Sequence, residues 1–400
     1  MKIVVAPGSF KGSLTAFQVS NAIEKGFKKI FLDADIVKIP MADGGDGTLE
    51  CLVNSTNGKI INEVVTGPLG NRVKACYGVL GDKETVIIET ASASGLNLLK
   101  PGEYNPMLTT TYGTGELIKS ALDKGYRKLI IGVGGSATND AGAGATQALG
   151  VKLLDSSGKN ISFGGIGLKK LDKIDMSGID KRIAETEIMV AYDVSNPLTG
   201  IRGAANVYSK QKGATPEMIK KLDNYLEHFA WIVKRDLGKN VREMPGAGAA
   251  GGMGAGLMAF LDAKLKPGAE LVAEKLKLSE HIKDADLVVT GEGKIDSQTI
   301  YGKTPVGVAR IAKKFGVPVL VITGQIGEDA EKLYTSELPS ANPRILIRFA
   351  HEYKQGIDAM LSTAPGPITK EDSISNAEKL VASASEKAAR MIKIGLRMRK

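Results

Sequence analysis

Residues 286–290 read DLVVT and residues 317–323 read VPVLVIT, and these two apolar runs decide the fold. A segment at 304–315 lies between them, with Thr304 as a helix N-cap residue and Pro305 as the first helical residue, which is a common way for a helix to begin. Short apolar strands that alternate with helices are typical of a parallel sheet covered by helices. The stretch therefore predicts a strand–helix–strand unit of an α/β domain.

The same pattern occurs at the amino end of the chain. KIVVA at 2–6 and DIVKIP at 35–40 are apolar runs typical of strands, and Thr15 with Gln18 forms a capping-box pattern before a helix. We predict two α/β domains: a Rossmann- or flavodoxin-like parallel-sheet domain that both chain ends build, and a different α/β domain inserted into it. The predicted bounds are 1–61 and 284–400 for the first domain and 62–283 for the inserted one.

Composition excludes several classes of protein. The net charge is +9, but residues 387–400 hold six cations and no acid, so the rest of the chain carries only +3. A basic last helix and few aromatic residues argue against nucleic-acid binding. No run approaches the 18 apolar residues of a membrane helix, and Cys51 and Cys76 are too few for a zinc site. We expect no membrane partner, a cytoplasmic location, and metal binding, if any, by oxygen.

The stretch MADGGDG at 41–47 sets two aspartates among three glycines. Asp–Gly pairs are ordinary turn chemistry, and Asp46 could also serve as a helix N-cap. The alternative is that the glycines let a ligand approach the backbone closely while Asp43 and Asp46 hold a metal ion or a hydroxyl. This stretch alone does not decide between the two, but it is one of five loops with the same placement, and together they favour the ligand interpretation.

Five polar loops follow predicted strands in the same way. In open parallel sheets, ligands bind beyond the carboxyl ends of the strands. We therefore predict an active site in the cleft between the two domains. The loops are PGSFKGS at 7–13, MADGGDG at 41–47, GGSATND at 134–140, DVSNP at 193–197 and GEGKIDSQTIYGK at 291–303.

The residue types in these loops favour phosphoryl transfer. None of the three histidines, His228, His281 and His351, lies in a glycine-rich loop, so histidine acid–base catalysis is not expected. Carboxylates for Mg²⁺, lysines and bare backbone N–H groups remain, and they suit a reaction that depends on positioning and charge stabilisation.

Two motifs need separate assessment. SQTIYGKT at 297–304 is not a P-loop because Ser297 stands where the first glycine belongs, although Gly302 and Lys303 precede a predicted helix and suit an anion. GVGGSA at 132–137 follows a strand, and Asp155 comes about twenty residues later. This second pattern keeps an NAD-dependent oxidoreductase open as an alternative.

Together the motifs resemble the type 1 glycerate kinase family. This resemblance implies ATP-dependent, Mg²⁺-assisted phosphorylation of D-glycerate, mainly to 2-phosphoglycerate, in bacterial glyoxylate and sugar-diacid breakdown. The sequence leaves open whether the 2- or the 3-hydroxyl is phosphorylated and whether the protein is a homodimer. The motifs include KIVVAPGSFKGSLTA, PMADGGDGT, TTTYGTGELI, IGVGGSATNDAGAGATQALG, DVSNPLTG, QKGAT, PGAGAAGGMGAGL and TGEGKIDSQTIYGKTPVGVA.

Loop placement and residue chemistry assign candidate roles. Asp193 or Asp296 would orient the substrate hydroxyl, with Lys11 as a further catalytic cation. Asp46 and Glu292 are the predicted metal ligands, and Asp43 would bind metal or substrate. The other predicted substrate- or phosphate-binding residues are Ser9, Lys294, Lys303, Gly134, Gly135, Ser136 and Asn139.

The chain departs from the family pattern at several positions. Gly8 stands where the family often has Asp, which leaves a non-catalytic glycerate or nucleotide sensor as a further alternative. Asp46 replaces a frequent Glu and shortens the side chain, while Lys294 replaces a frequent Arg and loses a bidentate fork. Ser297 replaces a usual Gly, and residues 208–210 read Tyr-Ser-Lys where the family has a Phe-Gly-Pro run.

Overall fold

The computed structural model describes residues 1–296, 299, 303–335 and 356–398. Ser297, Gly302 and His351, which entered the motif arguments, lie outside the described residues. The strands are β1 Lys2–Val5, β2 Asp35–Lys38, β3 Lys59–Thr66, β4 Arg72–Val79, β5 Thr85–Glu89, β6 Lys128–Gly132, β7 Lys152–Leu154, β8 Lys173–Asp175, β9 Glu187–Tyr192, β10 Lys264–Pro267, β11 Leu287–Ile295, β12 Val319–Ile326 and β13 Ala359–Ser362.

The helices range from one turn to six turns. In the described part of the chain, none is both long and apolar enough to span a bilayer. They are α1 Ala16–Lys28, α2 Thr48–Ser55, α3 Thr90–Ser94, α4 Tyr112–Asp123, α5 Ala143–Ala148, α6 Ala204–Tyr208, α7 Pro216–Leu237, α8 Ala249–Leu261, α9 Gly268–Lys275, α10 Leu278–Ile282, α11 Thr304–Lys314, α12 Lys332–Thr335, α13 Lys370–Ser375 and α14 Ala377–Met398.

The chain forms two compact α/β units, and the predicted α/β class is confirmed. Unit 1 comprises 1–43 and the described part of 269–400, and unit 2 comprises 44–268. These limits differ from the predicted changes at 61/62 and 283/284. The amino-side limit lies earlier because α2 packs on β4 and β5, which belong to the sheet of unit 2.

Unit 1 contains a five-stranded parallel sheet in the order β13-β12-β11-β1-β2. Its core joins β1 to one face of α1, where Val19, Ile23 and Phe27 recur at the helical period and are buried. α14 packs against α1 and completes this core. The capping box predicted for Thr15 and Gln18 is confirmed, since both reciprocal hydrogen bonds are present.

Strand β11 extends beyond the predicted range of 286–290. It pairs with β1 only as far as Val289, but it continues along β12 until Ile295 pairs with Ile326. Glu292 and Lys294 therefore lie on a strand that projects past the end of β1, and the prediction of a loop at these residues was wrong. The pairing with β12 supplies the backbone hydrogen bonds that keep this extension regular.

The predicted N-cap of α11 also needs correction. Thr304 is the first helical residue and is buried, and Lys303 occupies the N-cap position without a side-chain capping bond. Pro305 lies in the first turn as expected. The helix begins one residue earlier than predicted, which places the Lys303 backbone at the helix N-terminus.

Unit 2 contains a six-stranded sheet in the order β10-β9-β6-β5-β4-β3. The four strands β10, β9, β6 and β5 are parallel, while β4 and β3 join antiparallel at one edge. The parallel strands β5 and β6 have continuous apolar runs, as expected for strands buried on both faces. The carboxyl ends of the four parallel strands point the same way. Glu89 ends β5, and Gly134 and Asp193 come just after the neighbouring strands β6 and β9.

The topology of unit 2 is incompatible with the dinucleotide-binding alternative. That fingerprint needs a strand, a helix that opens directly from the glycine-rich loop, and an acidic residue at the end of the next parallel strand of the same sheet. Here α5 begins only at Ala143, and β7 pairs antiparallel with β8 in a separate two-stranded sheet. Asp155 accepts hydrogen bonds from Ser157 in the turn after β7, so its position is explained by local turn chemistry.

Candidate active site

Unit 1 contains a pocket of about 740 Å³ at the carboxyl ends of its strands. Five predicted site residues line it, and Asp43 joins them through an ion pair with Lys11, whose Nζ lies 3.9 Å from Asp43 Oδ2. The pocket also takes in Phe10 and the segment that follows β13. The five predicted residues are Ser9, Lys11, Glu292, Lys294 and Lys303.

Glu292 is the most buried carboxylate of this pocket, with 8% of the residue exposed. Burial raises its pKa; Lys303, whose Nζ lies 3.5 Å from Oε1, opposes the shift, and Asp43 adds to it. In the part of the chain that the structure describes, Oε2 of Glu292 has no hydrogen-bond partner. A buried carboxylate oxygen without a partner is costly, so this oxygen is suited to a cation or a donor from a ligand.

Lys294 and Asp296 form an ion pair, with Nζ 3.0 Å from Oδ2. The Asp296 backbone N–H also donates to the Thr299 hydroxyl at 3.2 Å, which fixes the turn after β11. Lys294 lines the pocket, whereas Asp296 is absent from the lining among the described residues. Of the two aspartates predicted to orient the hydroxyl, Asp296 is thus paired with a predicted phosphate-binding cation.

The backbone conformation of Gly8 allows a side chain, although the buried Thr304 would have to shift slightly to make room for it. Its N–H donates to the Gly291 carbonyl at 2.8 Å, and a Cβ would lie 3.3 Å from the Thr304 hydroxyl. The backbone at Gly8 is not in the left-handed region. The absence of the family's usual aspartate is therefore not imposed by the backbone.

Unit 2 contains a smaller pocket of about 130 Å³. The structure brings four predicted residues together there: Gly134, Gly135 and Ser136 from the loop after β6, and Asp193 from the end of β9. The pocket also contains residues to which sequence analysis assigns no role, namely Leu96, Val133, Val194, Tyr208, Gln211, Lys212 and Ala250.

Lys212 is the main residue that sequence analysis missed. It is only 2% exposed, and its Nζ donates hydrogen bonds to the Ser136 hydroxyl at 2.8 Å and to the Thr138 carbonyl at 2.7 Å. Burial lowers its pKa to about 7, and the charge of Asp140 opposes this shift. The only signal in the sequence was the motif QKGAT, which contains Lys212 but to which no chemical role was assigned.

Asn139 and Tyr208 support the walls of the pocket. Asn139 is fully buried and donates through Nδ2 to the Ser209 hydroxyl, so it connects the glycine loop to the segment that carries Lys212. It does not line the pocket among the described residues. The Tyr208 hydroxyl donates to Asn196 Oδ1 at 2.6 Å, and burial together with the charge of Asp193 raises its pKa. Tyr208 therefore stays protonated and acts as a donor.

Asp46 lies in unit 2 beside the glycine loop. The helix N-cap alternative for Asp46 was wrong, because Gly47 is the N-cap of α2 and makes no side-chain bond. Glu89, at the end of β5, instead accepts from the Leu49 N–H at 2.9 Å. Burial raises the pKa of Glu89 to about 6, and the charge of Asp46 adds to this effect while backbone donors oppose it. Glu89 was not predicted.

The comparisons with known proteins identify the family. The model of the Glycerate kinase family matches residues 3–347. The chain is 53% identical to "Glycerate kinase" of Haemophilus influenzae over 91% of this chain and 97% of that one. It is 48% identical to "Glycerate 2-kinase" of Escherichia coli K12 over 99% of both chains. A crystal structure of "putative glycerate kinase 2" from Salmonella typhimurium LT2 has 49% identity and a TM-score of 0.84 over 99% of both chains.

The fold and these relatives define the protein as a kinase, that is, a phosphotransferase. The chain belongs to the glycerate kinase family.

Proposed function

We propose that the protein transfers the γ-phosphoryl group of ATP to the 2-hydroxyl of D-glycerate with the help of Mg²⁺. The observation that carries the proposal is the unit 1 pocket, in which the buried Glu292 carboxylate meets Lys303 and Lys11 in about 740 Å³. This volume is within the range of about 300–1,000 Å³ that small-molecule and cofactor sites occupy. The Escherichia coli relative named "Glycerate 2-kinase" supports the choice of the 2-hydroxyl.

In this proposal, unit 1 binds the phosphates of the nucleotide. Lys11, Lys294 and Lys303 line the pocket and would neutralise phosphate oxygens. The N-terminus of α11 directly follows Lys303 and favours negative charge at the same place. The side chain of Ser9 adds a hydroxyl donor.

The residues of unit 1 also fit Mg²⁺. In the described residues there is no group of three or more metal-binding side chains, but protein Mg²⁺ sites commonly use one or two carboxylates together with substrate phosphates. Glu292 offers an oxygen without a partner, and Asp43 is close enough to raise the Glu292 pKa. These two residues would hold the ion, which would supply charge neutralisation on the transferring phosphoryl group. The prediction that Asp46 and Glu292 bind the metal ion together concerns residues of different units, and it stays a prediction.

In unit 2, Asp193 is the preferred residue for orienting the substrate hydroxyl. Asp193 lines a pocket together with the Gly134–Ser136 backbone, whereas Asp296 does not line the unit 1 pocket among the described residues. A carboxylate that accepts the hydroxyl proton as the phosphoryl group arrives is the role an acidic residue has in kinase reactions. The predicted location of the active site between the two domains, the homodimer and the cytoplasmic location stay predictions.

The first experiment is ³¹P NMR of the products that form when the purified protein is mixed with Mg-ATP and D-glycerate. We expect 2-phosphoglycerate to accumulate in step with ADP, and no ADP in a control without D-glycerate. A 3-phosphoglycerate signal would contradict the proposed regiochemistry. If D-glycerate or nucleotide binds but ATP is not consumed, the alternative of a non-catalytic sensor, which the glycine at residue 8 suggested, replaces the proposal.

A further inference from the structure

The unit 2 pocket contains a buried cation that the proposed function does not use. We infer that Lys212 binds the carboxylate of the hydroxy-acid substrate, so that the unit 2 pocket, lined by Gly134–Ser136, Asp193, Tyr208 and Lys212, is the acid site of the enzyme. This inference rests on the proposed function, because it names where the acceptor substrate of that reaction is held.

The size of the pocket favours a small acid. Its volume of about 130 Å³ is well below the range of roughly 300–1,000 Å³ that drug-sized ligands need. A space of this size suits a three-carbon acid better than a nucleotide. The unit 1 pocket, at about 740 Å³, is the larger of the two and suits the nucleotide.

The geometry at Lys212 leaves capacity for one more acceptor. An ammonium group has three N–H donors, and the described bonds to Ser136 Oγ and Thr138 O use two of them. These two contacts fix the direction of the side chain, so little side-chain entropy is lost when a ligand binds. The remaining donor is available for a carboxylate oxygen.

The backbone beside Lys212 adds further donors. None of the backbone hydrogen bonds of the described residues uses the N–H groups of Gly134, Gly135 or Ser136, although all three residues line the pocket. Successive free N–H groups of this kind form anion-binding concavities. A cation and a row of backbone donors in one small pocket indicate an oxyanion site.

The same pocket also contains groups that suit the hydroxyls of the acid. Asp193 and Tyr208 line it, so a carboxylate and a phenol would lie near the bound acid. A short hydroxy acid would thus meet a cation for its carboxylate and an acceptor for its hydroxyl in one pocket. The pKa of Lys212, which burial lowers to about 7, also agrees, because a bound anion would stabilise the protonated lysine.

The test compares Lys212→Met with Lys210→Met. Met retains the length and apolar character of the lysine stem. Lys210 lies on the same short segment as Lys212, but its side chain is exposed and it lines neither pocket. We expect Lys212→Met to raise the KM for D-glycerate about 10- to 100-fold, since a hydrogen bond to a charged group contributes about 1.5–3 kcal/mol. The KM for ATP should stay within about twofold of the wild-type value. Lys210→Met should change neither constant.

Calorimetric titration with D-glycerate and with inorganic phosphate, in the absence of nucleotide, shows whether Lys212 binds a carboxylate or a phosphate. Loss of D-glycerate binding in Lys212→Met, with the circular dichroism spectrum unchanged, supports the inference. An increase in the KM for ATP, or selective loss of phosphate binding, would assign the lysine to a phosphate group and overturn it. Unchanged constants would overturn it as well.

A second variant covers the case in which Lys212→Met does not fold. Ser136→Ala removes the hydroxyl that holds the ammonium, so it should raise the KM for D-glycerate by a smaller factor and leave the KM for ATP unchanged. The proposed function and the inference about Lys212 can be contradicted independently by these experiments. If the wild-type protein binds D-glycerate in a Lys212-dependent way but transfers no phosphate, only the proposed function fails.

Discussion

The backbone of Gly135 lies against the Asp46 carboxylate so closely that a Cβ at residue 135 would overlap Oδ1. The contact joins the MADGGDG stretch to the loop after β6. Gly135 also has φ of +65°, where residues with a Cβ are strained. Both features make this glycine a requirement of the pocket wall rather than a simple turn residue.

We expect Gly135→Ala to lower the free energy of unfolding by about 1–3 kcal/mol and to reduce turnover, because it combines backbone strain with displacement of Asp46. Urea denaturation and steady-state kinetics measure the two effects. Gly125→Ala is the matched control: its φ is +89°, but nothing lies within 4 Å of the added Cβ. Equal losses in the two variants would show that the contact with Asp46 contributes nothing.

Asp193→Asn should lower kcat by about 10²- to 10⁴-fold, the usual contribution of a positioned acid–base group. The amide keeps the shape of the side chain but cannot accept the hydroxyl proton. Asp296→Asn should have a much smaller effect, because Asp296 contacts Lys294 in the turn after β11. If both folded variants kept the wild-type turnover, neither aspartate would orient the hydroxyl.

The buried Lys212 predicts a pH dependence of stability. Its folded pKa of about 7 lies below the ordinary 10.5, so between these values the unfolded chain binds a proton that the folded chain does not. Stability should therefore rise with pH above 7, by up to about 1.4 kcal/mol per pH unit. Lys212→Met should be more stable than the wild type, with the largest gain at pH 7 and below.

Urea unfolding at pH 7, 8 and 9 measures this dependence. Lys212→Met removes the titrating ammonium and keeps Asp140, so the difference in slope between the two proteins is assigned to the lysine. A Lys212→Met variant that retained the wild-type slope would contradict the assignment. Lys210→Met again serves as the exposed control.

Glu89 predicts a pH dependence in the acidic range. Its folded pKa of about 6 exceeds the ordinary 4.5, so the folded chain retains a proton that the unfolded chain releases. Stability should fall by about 2 kcal/mol as pH rises from about 4.5 to above 6. Glu89→Gln still offers an acceptor to the Leu49 N–H, and it should remove this fall.

Thermal unfolding between pH 4.5 and 7 measures the Glu89 effect. Glu50→Gln is the control, because Glu50 is exposed and lies in the first turn of α2, the helix whose Leu49 N–H donates to Glu89. The assignment fails if Glu89→Gln and the wild type lose stability in parallel across this range.

The sequence predicted those features that depend on local pattern. The loop Gly134–Ser136 and Asp193 were expected at strand ends, and the structure places them in one pocket. The length of β11 was underestimated because GEGKI has little local strand character and is held by pairing with β12. Long-range pairing of this kind leaves no local pattern.

The missed residues have a common physical cause. Lys212 is one of 53 lysines and arginines, and its burial depends on contacts with Ser136 and Thr138, which are more than seventy positions away in the chain. Glu89 is the last residue of an apolar strand, β5, and could have been found by the strand-end rule. It was missed because the parallel pairing of β5 with β6, which places Glu89 beside the loop after β6, leaves no local pattern in the sequence.

The sheet order of unit 1 has a consequence for biosynthesis. β1 lies between β2 and β11, and Ile3 pairs with Leu287. At about 5–20 residues per second, the ribosome needs roughly 15–60 s to deliver the second partner of β1. Unit 2 is contiguous in sequence and is complete before then, so it can fold first. During that interval one edge of β1 is an unpaired strand edge, and the nascent chain must keep it from pairing with other chains.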